Sequence, residues 1–238
     1  MALRALADDP VELVTTTRRL IEKHAECAPL HWFCAHLLHS PEPRSAAREL
    51  LRQLDDDRTP DALIELLPDD AVVLVLGWPP LVGEALLRRG DVRVLAVDEW
   101  DSPFSRHLER SGVDVEVVEP HGLGVAVSAA SVVLVEVAAA SPSTVLAPLG
   151  ASAAVAVARH VHVPAWAVVG VGAALPEQVV AHMLDSIGGG RRPWQLDVEP
   201  VALAQFDAVV TSAGRLAPGQ PLAPSCPYAP ELLPRSVR

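Results

Sequence analysis

The stretch AVVLVL at residues 71–76 opens a series of short, nearly continuous apolar runs. Further runs follow at residues 92–97, 113–118, 132–135, 165–169 and 206–210, the last interrupted by Asp207. Strands that helices bury on both faces have this texture. Stretches with helical periodicity separate the runs, at residues 81–89, 102–110, 152–160 and 176–187. This alternation predicts a Rossmann-like, doubly wound parallel sheet.

The sequence on either side of this sheet has a different character. Apolar residues recur at helical spacing from about residue 10 to residue 67, with a proline-rich break at 40–43. We therefore predict an α/β protein with an N-terminal helical bundle over residues 1–68 and a Rossmann-like domain over residues 69–216. The proline-rich tail predicts an extended C-terminal arm over residues 217–238.

Composition excludes several classes of function. The chain has 19 Lys and Arg against 30 Asp and Glu, a formal charge of −11, and no basic cluster, so nucleic acid and anionic membranes are excluded as partners. Lys23 is the only lysine, so a GxxxxGK[ST] phosphate loop is excluded too. The most apolar stretch, residues 122–140, contains Glu136 and is divided by Ser128 and Ser131. We predict that it forms buried sheet rather than a membrane span.

The N-terminus shows no export signal, and three cysteines in a chain of this size do not suggest a disulfide framework, so we expect a cytoplasmic protein. His24, Cys27, His31 and Cys34 recur at steps of three, four and three residues, which would align them on one helix face. Pro29 would break that helix. We predict neither a metal site nor a cofactor.

Open parallel sheets bind ligands at the carboxyl ends of their strands. Gly77, Asp98 and Glu136 lie at such ends in the predicted sheet. Two carboxyl groups whose pKa values differ can act as an acid and a base, so Asp98 and Glu136 are the candidate catalytic residues. The alternative is that these acidic residues are simply solvated groups that follow strands.

A second candidate feature is the stretch PLGASAAV at residues 148–155. A glycine before a helix of small residues leaves backbone N–H groups at the positive end of the helix dipole, where a phosphate can bind without lysine. Gly150, Ala151 and Ser152 would supply these groups, and the hydroxyls of Ser141, Ser143 and Thr144 lie on the preceding loop. The alternative is that Ser152 is an ordinary helix N-cap.

The order of these segments resembles the family of initiation factor 2B regulatory subunits and methylthioribose-1-phosphate isomerases. Residues 132–151, VVLVEVAAASPSTVLAPLGA, are similar to the family's strand, "GAD" step, loop, "NKIGT" and helix. The likeness continues through residues 153–169, and LDVEP at 196–200 with AVVTSAG at 208–214 resembles the closing "FDVTP…IITE.G" segment. The resemblance implies a helical N-terminal domain, a Rossmann-like C-terminal domain and a homodimer.

The residues that carry isomerase activity in the family do not match. Val137 stands where the resemblance places the catalytic aspartate, and Glu136 precedes it by one position, which turns its side chain to the opposite face of a strand. Ala147 and Pro148 replace the asparagine–lysine pair. The cysteine loop is matched by GWPP at 77–80, and "E.RP" by DEWDSP at 98–103.

Three functions remain open from the sequence. The first is a diverged, non-catalytic relative that binds a phosphorylated sugar or nucleotide between Gly77, Asp98, residues 141–144 and residues 150–152. The second is an active aldose–ketose isomerase of sugar phosphates, with Glu136 or Asp98 as a relocated base. The third is an oligomeric interaction or regulatory protein.

Overall fold

The structure, a computed structural model, describes residues 10–98, 103–216 and 220–233. Parts of the predicted bundle and arm, and residues 99–102 of the DEWDSP segment, lie outside these ranges. The α-helices are α1 (Pro10–Lys23), α2 (Ala28–His39), α3 (Pro43–Asp55), α4 (Thr59–Leu66), α5 (Pro80–Arg89), α6 (Pro103–Arg110), α7 (Leu123–Ala129), α8 (Ala151–Val161) and α9 (Glu177–Gly188). The strands are β1 (Val72–Leu76), β2 (Arg93–Val97), β3 (Asp114–Val118), β4 (Val132–Glu136), β5 (Ala139–Ala140), β6 (Thr144–Pro148), β7 (Ala165–Val168), β8 (Val198–Ala202), β9 (Ala208–Thr211) and β10 (Gly214–Leu216).

Seven of the described strands form one sheet in the order β10-β9-β7-β4-β1-β2-β3. All neighbours in it are parallel except β10, which runs antiparallel to β9. The chain moves outward from β1 to β3, returns to β4 on the other side of β1, and then moves outward to β9. This reversal between β1 and β4 is the switch point of a doubly wound sheet. The predicted mixed α/β fold with an N-terminal helical region is confirmed.

Side chains that alternate in direction along the central strands form two apolar layers, one on each face of the sheet. Leu74 and Leu76 pack on one face of the sheet with α7 and α8, whereas Val73 and Val75 pack on the other face with α4 to α6. Successive side chains of a strand point to opposite faces, so a strand with both faces covered must be apolar throughout.

Two parts of the fold differ from the sequence prediction. Residues 122–129 were expected in buried sheet, but they form the end of a short 3₁₀ turn (Pro120–Gly122) and helix α7. Small and apolar residues alone do not separate a short buried helix from a strand. In addition, β5, β6 and β8 form an antiparallel sheet of their own, in which no strand had been predicted at β6 or β8.

The N-terminal helices share their core with the end of the chain. Trp32 and Leu50, from α2 and α3, belong to the same buried cluster as Met183 of α9 and as Ala229 and Leu232. Packing of this kind stabilises the helices through apolar area that distant segments supply. None of the described helices is both long and apolar enough to cross a membrane.

Gly172, in the loop after β7, provides a test of this packing. Its φ is +80°, and a Cβ there would lie 3.1 Å from the Cα of Pro29 at the start of α2. We expect Gly172→Ala to lower the free energy of unfolding by about 1–3 kcal/mol, because it adds backbone strain and a contact with main chain.

The matched control is Gly124→Ala in α7, where a Cβ would meet nothing within 4 Å. Helix propensity predicts that this variant is stabilised by about 0.5–1 kcal/mol. Urea unfolding of both variants measures the difference. Equal stability of the two would contradict the proposed docking of α2 on the loop after β7.

Candidate functional site

Two of the predicted site residues lie at the carboxyl ends of the neighbouring strands β1 and β2. Gly77 follows β1 with a φ of +64°, and its N–H donates to the carbonyl oxygen of Val97 at 3.2 Å. Asp98 follows β2, and its N–H donates to the carbonyl oxygen of Val118 at 3.2 Å. Both residues therefore lie at the carboxyl edge of the sheet, where open parallel sheets bind their ligands.

Glu136, the last residue of β4, caps the first turn of α5. Its Oε2 accepts a hydrogen bond from the Val82 N–H at 3.0 Å, and the Leu81 N–H is a second donor to this carboxyl group. Helix α5 begins at Pro80 and has no side-chain cap at its N-cap position, Pro79, within the described residues. Glu136 thus occupies the position where a bound anion would meet the helix dipole.

The surroundings of Glu136 change its acidity. Burial raises the pKa of its carboxyl group to about 7, the N–H groups of Val82 and Leu81 oppose this rise, and the negative charge of Asp57 adds to it. A carboxyl group with a pKa near neutrality can both accept and donate a proton at physiological pH. Glu136 therefore has the acidity of a general acid or base, although its carboxylate is already hydrogen-bonded.

Asp57 is a residue of this region that sequence reasoning missed. It lies between α3 and α4, and its Oδ1 accepts hydrogen bonds from the N–H and hydroxyl of Thr59 at 2.9 and 2.7 Å. Its Oδ2 accepts the N–H of Val171 at 2.8 Å, in the loop after β7. The available signal was an Asp two residues before the Thr that starts a helix, which is typical of a local cap and reveals nothing of Val171.

The predicted anion-binding site at the N-terminus of α8, called the α8 cradle below, consists of the N–H groups of residues 150–152. Its backbone has the expected conformation, but a side chain of the protein already binds two of these N–H groups. Gly150 has a φ of +98° and precedes the helix, as a glycine in this position should. The N–H groups of Gly150 and Ser152 both donate to Oε1 of Glu199, at 2.8 and 3.0 Å, and Ala151 between them is buried. An external phosphate would have to displace Glu199.

Glu199 reaches the helix because of the second sheet. Strand β8 pairs antiparallel with β6, and this register sets Glu199 opposite Ala147, three residues before Gly150. The sequence gives no local sign of this contact, since the two segments lie about 50 residues apart and β8 reads VEPVA, with a proline inside the strand. Pairing between distant strands is not readable from local periodicity.

The hydroxyl groups expected beside the cradle lie elsewhere. Ser141 and Ser143 lie in the turn of the β5–β6 hairpin and Thr144 begins β6, so these residues do not form a loop between a strand and a helix. The Ser141 hydroxyl donates to the Thr144 carbonyl oxygen at 2.9 Å, and the Ser143 hydroxyl donates to Glu177 at 2.8 Å. Strand β6 then separates Thr144 from Pro148 by roughly 13 Å, at about 3.3 Å per residue. The hydroxyl groups of this turn therefore do not lie beside the N-terminus of α8, whereas Gly150 lies near Leu76 at the end of β1.

The four cysteine and histidine residues at helical spacing do not lie on one helix, as expected from the presence of Pro29 among them. Helix α1 ends at Lys23 and α2 begins at Ala28, so His24 and Cys27 lie outside the helix that carries His31 and Cys34. Within the described residues, no three or more His, Cys, Asp or Glu side chains are placed to hold a metal ion.

The architecture of this chain is similar to that of several solved structures. No protein-family model and no curated protein matches the sequence. The fold is similar to that of translation initiation factor eIF-2B from Pyrococcus horikoshii OT3, with a TM-score of 0.65 and 15% identity over 88% of this chain and 89% of that one. For eIF2B beta from Chaetomium thermophilum the TM-score is 0.66, with 17% identity over 87% and 72% of the two chains.

A third similar structure is the tetrameric eIF2B-beta2-delta2 complex from C. thermophilum, with a TM-score of 0.68 and 15% identity over 89% of this chain and 78% of that one. The chain thus has a two-part, helical and Rossmann-like fold. More particularly, it has the fold of the initiation factor 2B subunits, which confirms the resemblance drawn from residues 132–214 at the level of the fold.

The raised pKa of Glu136 predicts a pH dependence of stability. A carboxyl group with a pKa of about 7 when folded and about 4.3 when unfolded binds more protons in the folded state between these values. Its contribution to the free energy of unfolding is therefore full below about pH 4 and declines as the pH rises to about 7. We expect Glu136→Gln to gain stability over the wild type between pH 5 and pH 8, by about 1–3 kcal/mol.

Urea unfolding at several pH values measures this gain. Glu65→Gln, on an exposed position of α4, controls for the loss of one negative charge. If Glu136→Gln followed the same pH curve as the wild type, burial of a titrating carboxyl group at this position would be refuted.

Proposed function

We propose that this chain is a non-catalytic, initiation factor 2B-like protein that acts by associating with a second copy of itself. The observation that carries the proposal is that the chain fills both helix N-termini of the crevice with its own carboxylates, Glu136 on α5 and Glu199 on α8. In an enzyme or sensor of phosphorylated sugars, such N–H groups would bind the phosphate of the ligand. The cytoplasm is the compartment we expect, and the unpaired state of Cys27, Cys34 and Cys226 supports it.

The similar structures support the proposal that the chain associates with a second copy of itself. One of them is a tetrameric complex of beta and delta subunits with this fold. In the present chain, an apolar groove of about 400 Å³ lies on the face of β2 and β3 beside α7, and Leu95, Val118 and Val125 line it. Val125 is 80% exposed. We assign this groove to the contact between two copies.

The charge at this face is partly neutralised, which favours contact between two copies there. Two chains of formal charge −11 repel each other, so an interface has to avoid unpaired acidic groups. At this groove Arg93 pairs with Glu116 at 2.6 Å and lies 3.8 Å from Asp114. The apolar groove is thus bordered by an ion pair that neutralises part of the local negative charge.

Active aldose–ketose isomerisation is the second candidate, and one observation favours it. Glu136 lies at the switch point and has a pKa of about 7, which suits a base that moves a proton between two carbon atoms. Asp98, at the end of β2 and separated from β4 by β1, is the other candidate base. The bonds from Glu136 to the Val82 and Leu81 N–H groups count against the candidate, because substrate would have to break them.

A first prediction concerns phosphate. We expect no heat when the wild type is titrated with ribose 5-phosphate or AMP, and no turnover of the sugar phosphate. We expect inorganic phosphate to raise the thermal unfolding midpoint of Glu199→Ala but not that of the wild type, because the variant leaves the Gly150 and Ser152 N–H groups open.

Glu177→Ala is the matched control, since Glu177 is an exposed glutamate that binds Ser143 away from α8. If the wild type turned over the sugar phosphate and Glu136→Gln did not, the result would contradict the proposal and support an active isomerase. Phosphate-ester binding by the wild type would restore a ligand-binding function to the α8 cradle.

A second prediction concerns association. Sedimentation velocity should show a dimer for the wild type and a monomer for Val125→Glu, because the new charge would be buried in the groove without a partner. Leu51→Glu, at a 45% exposed position of α3, should remain a dimer. A wild type that is monomeric at high concentration, or a dimer that Val125→Glu leaves intact, would contradict the assigned interface.

A further inference from the structure

A cavity of about 560 Å³ lies between α1, α9 and the short 3₁₀ turn Pro230–Leu232 near the end of the chain. Helix α1 and the residues just after it form one wall, one turn of α9 forms the second, and Leu232 and Leu233 form the third. Cavities of this volume are typical of small-molecule sites. This cavity is separate from the carboxyl edge of the sheet and from the groove assigned to the dimer.

Two opposite charges line this cavity without pairing with each other. Arg18 and Glu22 lie four residues apart on α1, about 6 Å along the helix axis. Neither forms an ion pair with another of the described residues. The order of arginine before glutamate is the less favourable one for a pair at this spacing, and Arg18 donates instead from Nε to the carbonyl oxygen of Glu231. The cavity therefore presents a positive and a negative group that remain separate.

The bond to Glu231 orients the Arg18 guanidinium and leaves most of its donors open. A guanidinium has five N–H donors, and Nε uses one of them here. The four donors on Nη1 and Nη2 have no acceptor among the described residues, and their planar arrangement matches the two oxygens of a carboxylate. Arg18 is half-buried, whereas Glu22 is exposed. This arrangement suits a ligand whose carboxylate lies inside the cavity and whose cationic group lies nearer its mouth.

The α9 wall adds two side chains that form hydrogen bonds. The Ser186 hydroxyl donates to the carbonyl oxygen of His182 at 2.9 Å and lies 3.4 Å from Nε2 of the same residue. Burial lowers the pKa of the neighbouring His31, its bond to the Ala25 carbonyl oxygen opposes this change, and the charge of protonated His182 adds to it. His31 therefore stays neutral. The permanent charges at this cavity are the two on α1, one of each sign.

The base of the cavity is apolar. Ile21 and Leu232 close it, at 2% and 5% exposure, and Ala25 and Leu233 are half-buried. The latter two residues thus provide the apolar surface that a ligand can reach. An aliphatic group in contact with them would be removed from water, which is favourable.

We propose that this cavity binds a free aliphatic α-amino acid in its zwitterionic form. The carboxylate binds the Nη groups of Arg18, the ammonium group binds the carboxylate of Glu22, and the aliphatic side chain contacts Ala25 and Leu233. The two charged groups of an α-amino acid are attached to one carbon atom, so they can reach two side chains one helical turn apart. The proposal goes beyond the association of two copies and does not depend on it.

Isothermal titration of the full chain with L-leucine and two of its derivatives tests the proposal. Leucinamide lacks the carboxylate and N-acetylleucine lacks the ammonium group. Each should bind at least about tenfold more weakly than leucine, because one charge-assisted contact is lost. Glycine should also bind more weakly than leucine, because it has no aliphatic side chain.

Glu22→Gln and Arg18→Gln test the two contacts separately. Both variants should weaken leucine binding by about tenfold or more. Glu22→Gln should leave the binding of N-acetylleucine unchanged, and Arg18→Gln should leave that of leucinamide unchanged, because each derivative lacks the group concerned. Arg19→Gln and Glu26→Gln are the matched controls, at exposed positions outside the cavity, and should bind leucine as the wild type does.

Circular dichroism and urea unfolding confirm that the variants are folded. Arg18→Gln also loses the bond to Glu231, so the exposed Glu22→Gln provides the test that does not disturb the packing of the chain end. Three results would overturn the proposal: no binding of leucine, equal binding of leucine and its two derivatives, or unchanged leucine binding by folded Glu22→Gln. Sedimentation velocity measured on the same samples keeps this outcome separate from that of the dimer.

Discussion

Three carboxylates each bind backbone N–H groups of a segment far away in the chain. Glu136 joins β4 to the first turn of α5, Glu199 joins β8 to the first turn of α8, and Asp57 joins the N-terminal helices to the loop after β7. The first N–H groups of a helix have no partner within the helix, and a buried N–H without an acceptor is destabilising. These bonds therefore satisfy the backbone and set the relative positions of the elements.

The same bonds determine what the crevice can do. A helix N-terminus attracts anions whether they are supplied by a ligand or by the protein. Here the protein supplies them, and one of them, Glu136, is buried deeply enough that its pKa rises to about 7. The chain thus has the fold of the initiation factor 2B subunits, and its own carboxylates accept the N–H groups at the N-termini of α5 and α8.

The fold could be predicted from the sequence to a large extent, because the central strands are buried on both faces. The runs at 71–76 and 132–135 contain no charged residue, and each corresponds to a central strand of the sheet. The second sheet was missed, because β6 and β8 each contain a proline and are paired across about 50 residues. The helix α7 was missed because its small residues fit either kind of element.

The candidate site could be predicted only in part, for a related reason. Gly77, Asp98, Glu136 and Gly150 were found because each follows or ends a strand or begins a helix, which local patterns reveal. Asp57 and Glu199 were not found, since nothing in their neighbourhoods shows which distant N–H group they bind. The occupancy of a helix N-terminus depends on tertiary contacts, and a single sequence does not display them.

The shared core of α1 to α3 with Ala229 and Leu232 has a consequence for synthesis on the ribosome. Helices α1 to α3 are translated well before Ala229 and Leu232, which supply part of the apolar surface that covers them. Until that segment has been made, Trp32 and Phe33 remain incompletely covered. The order of translation thus delays the closure of this core.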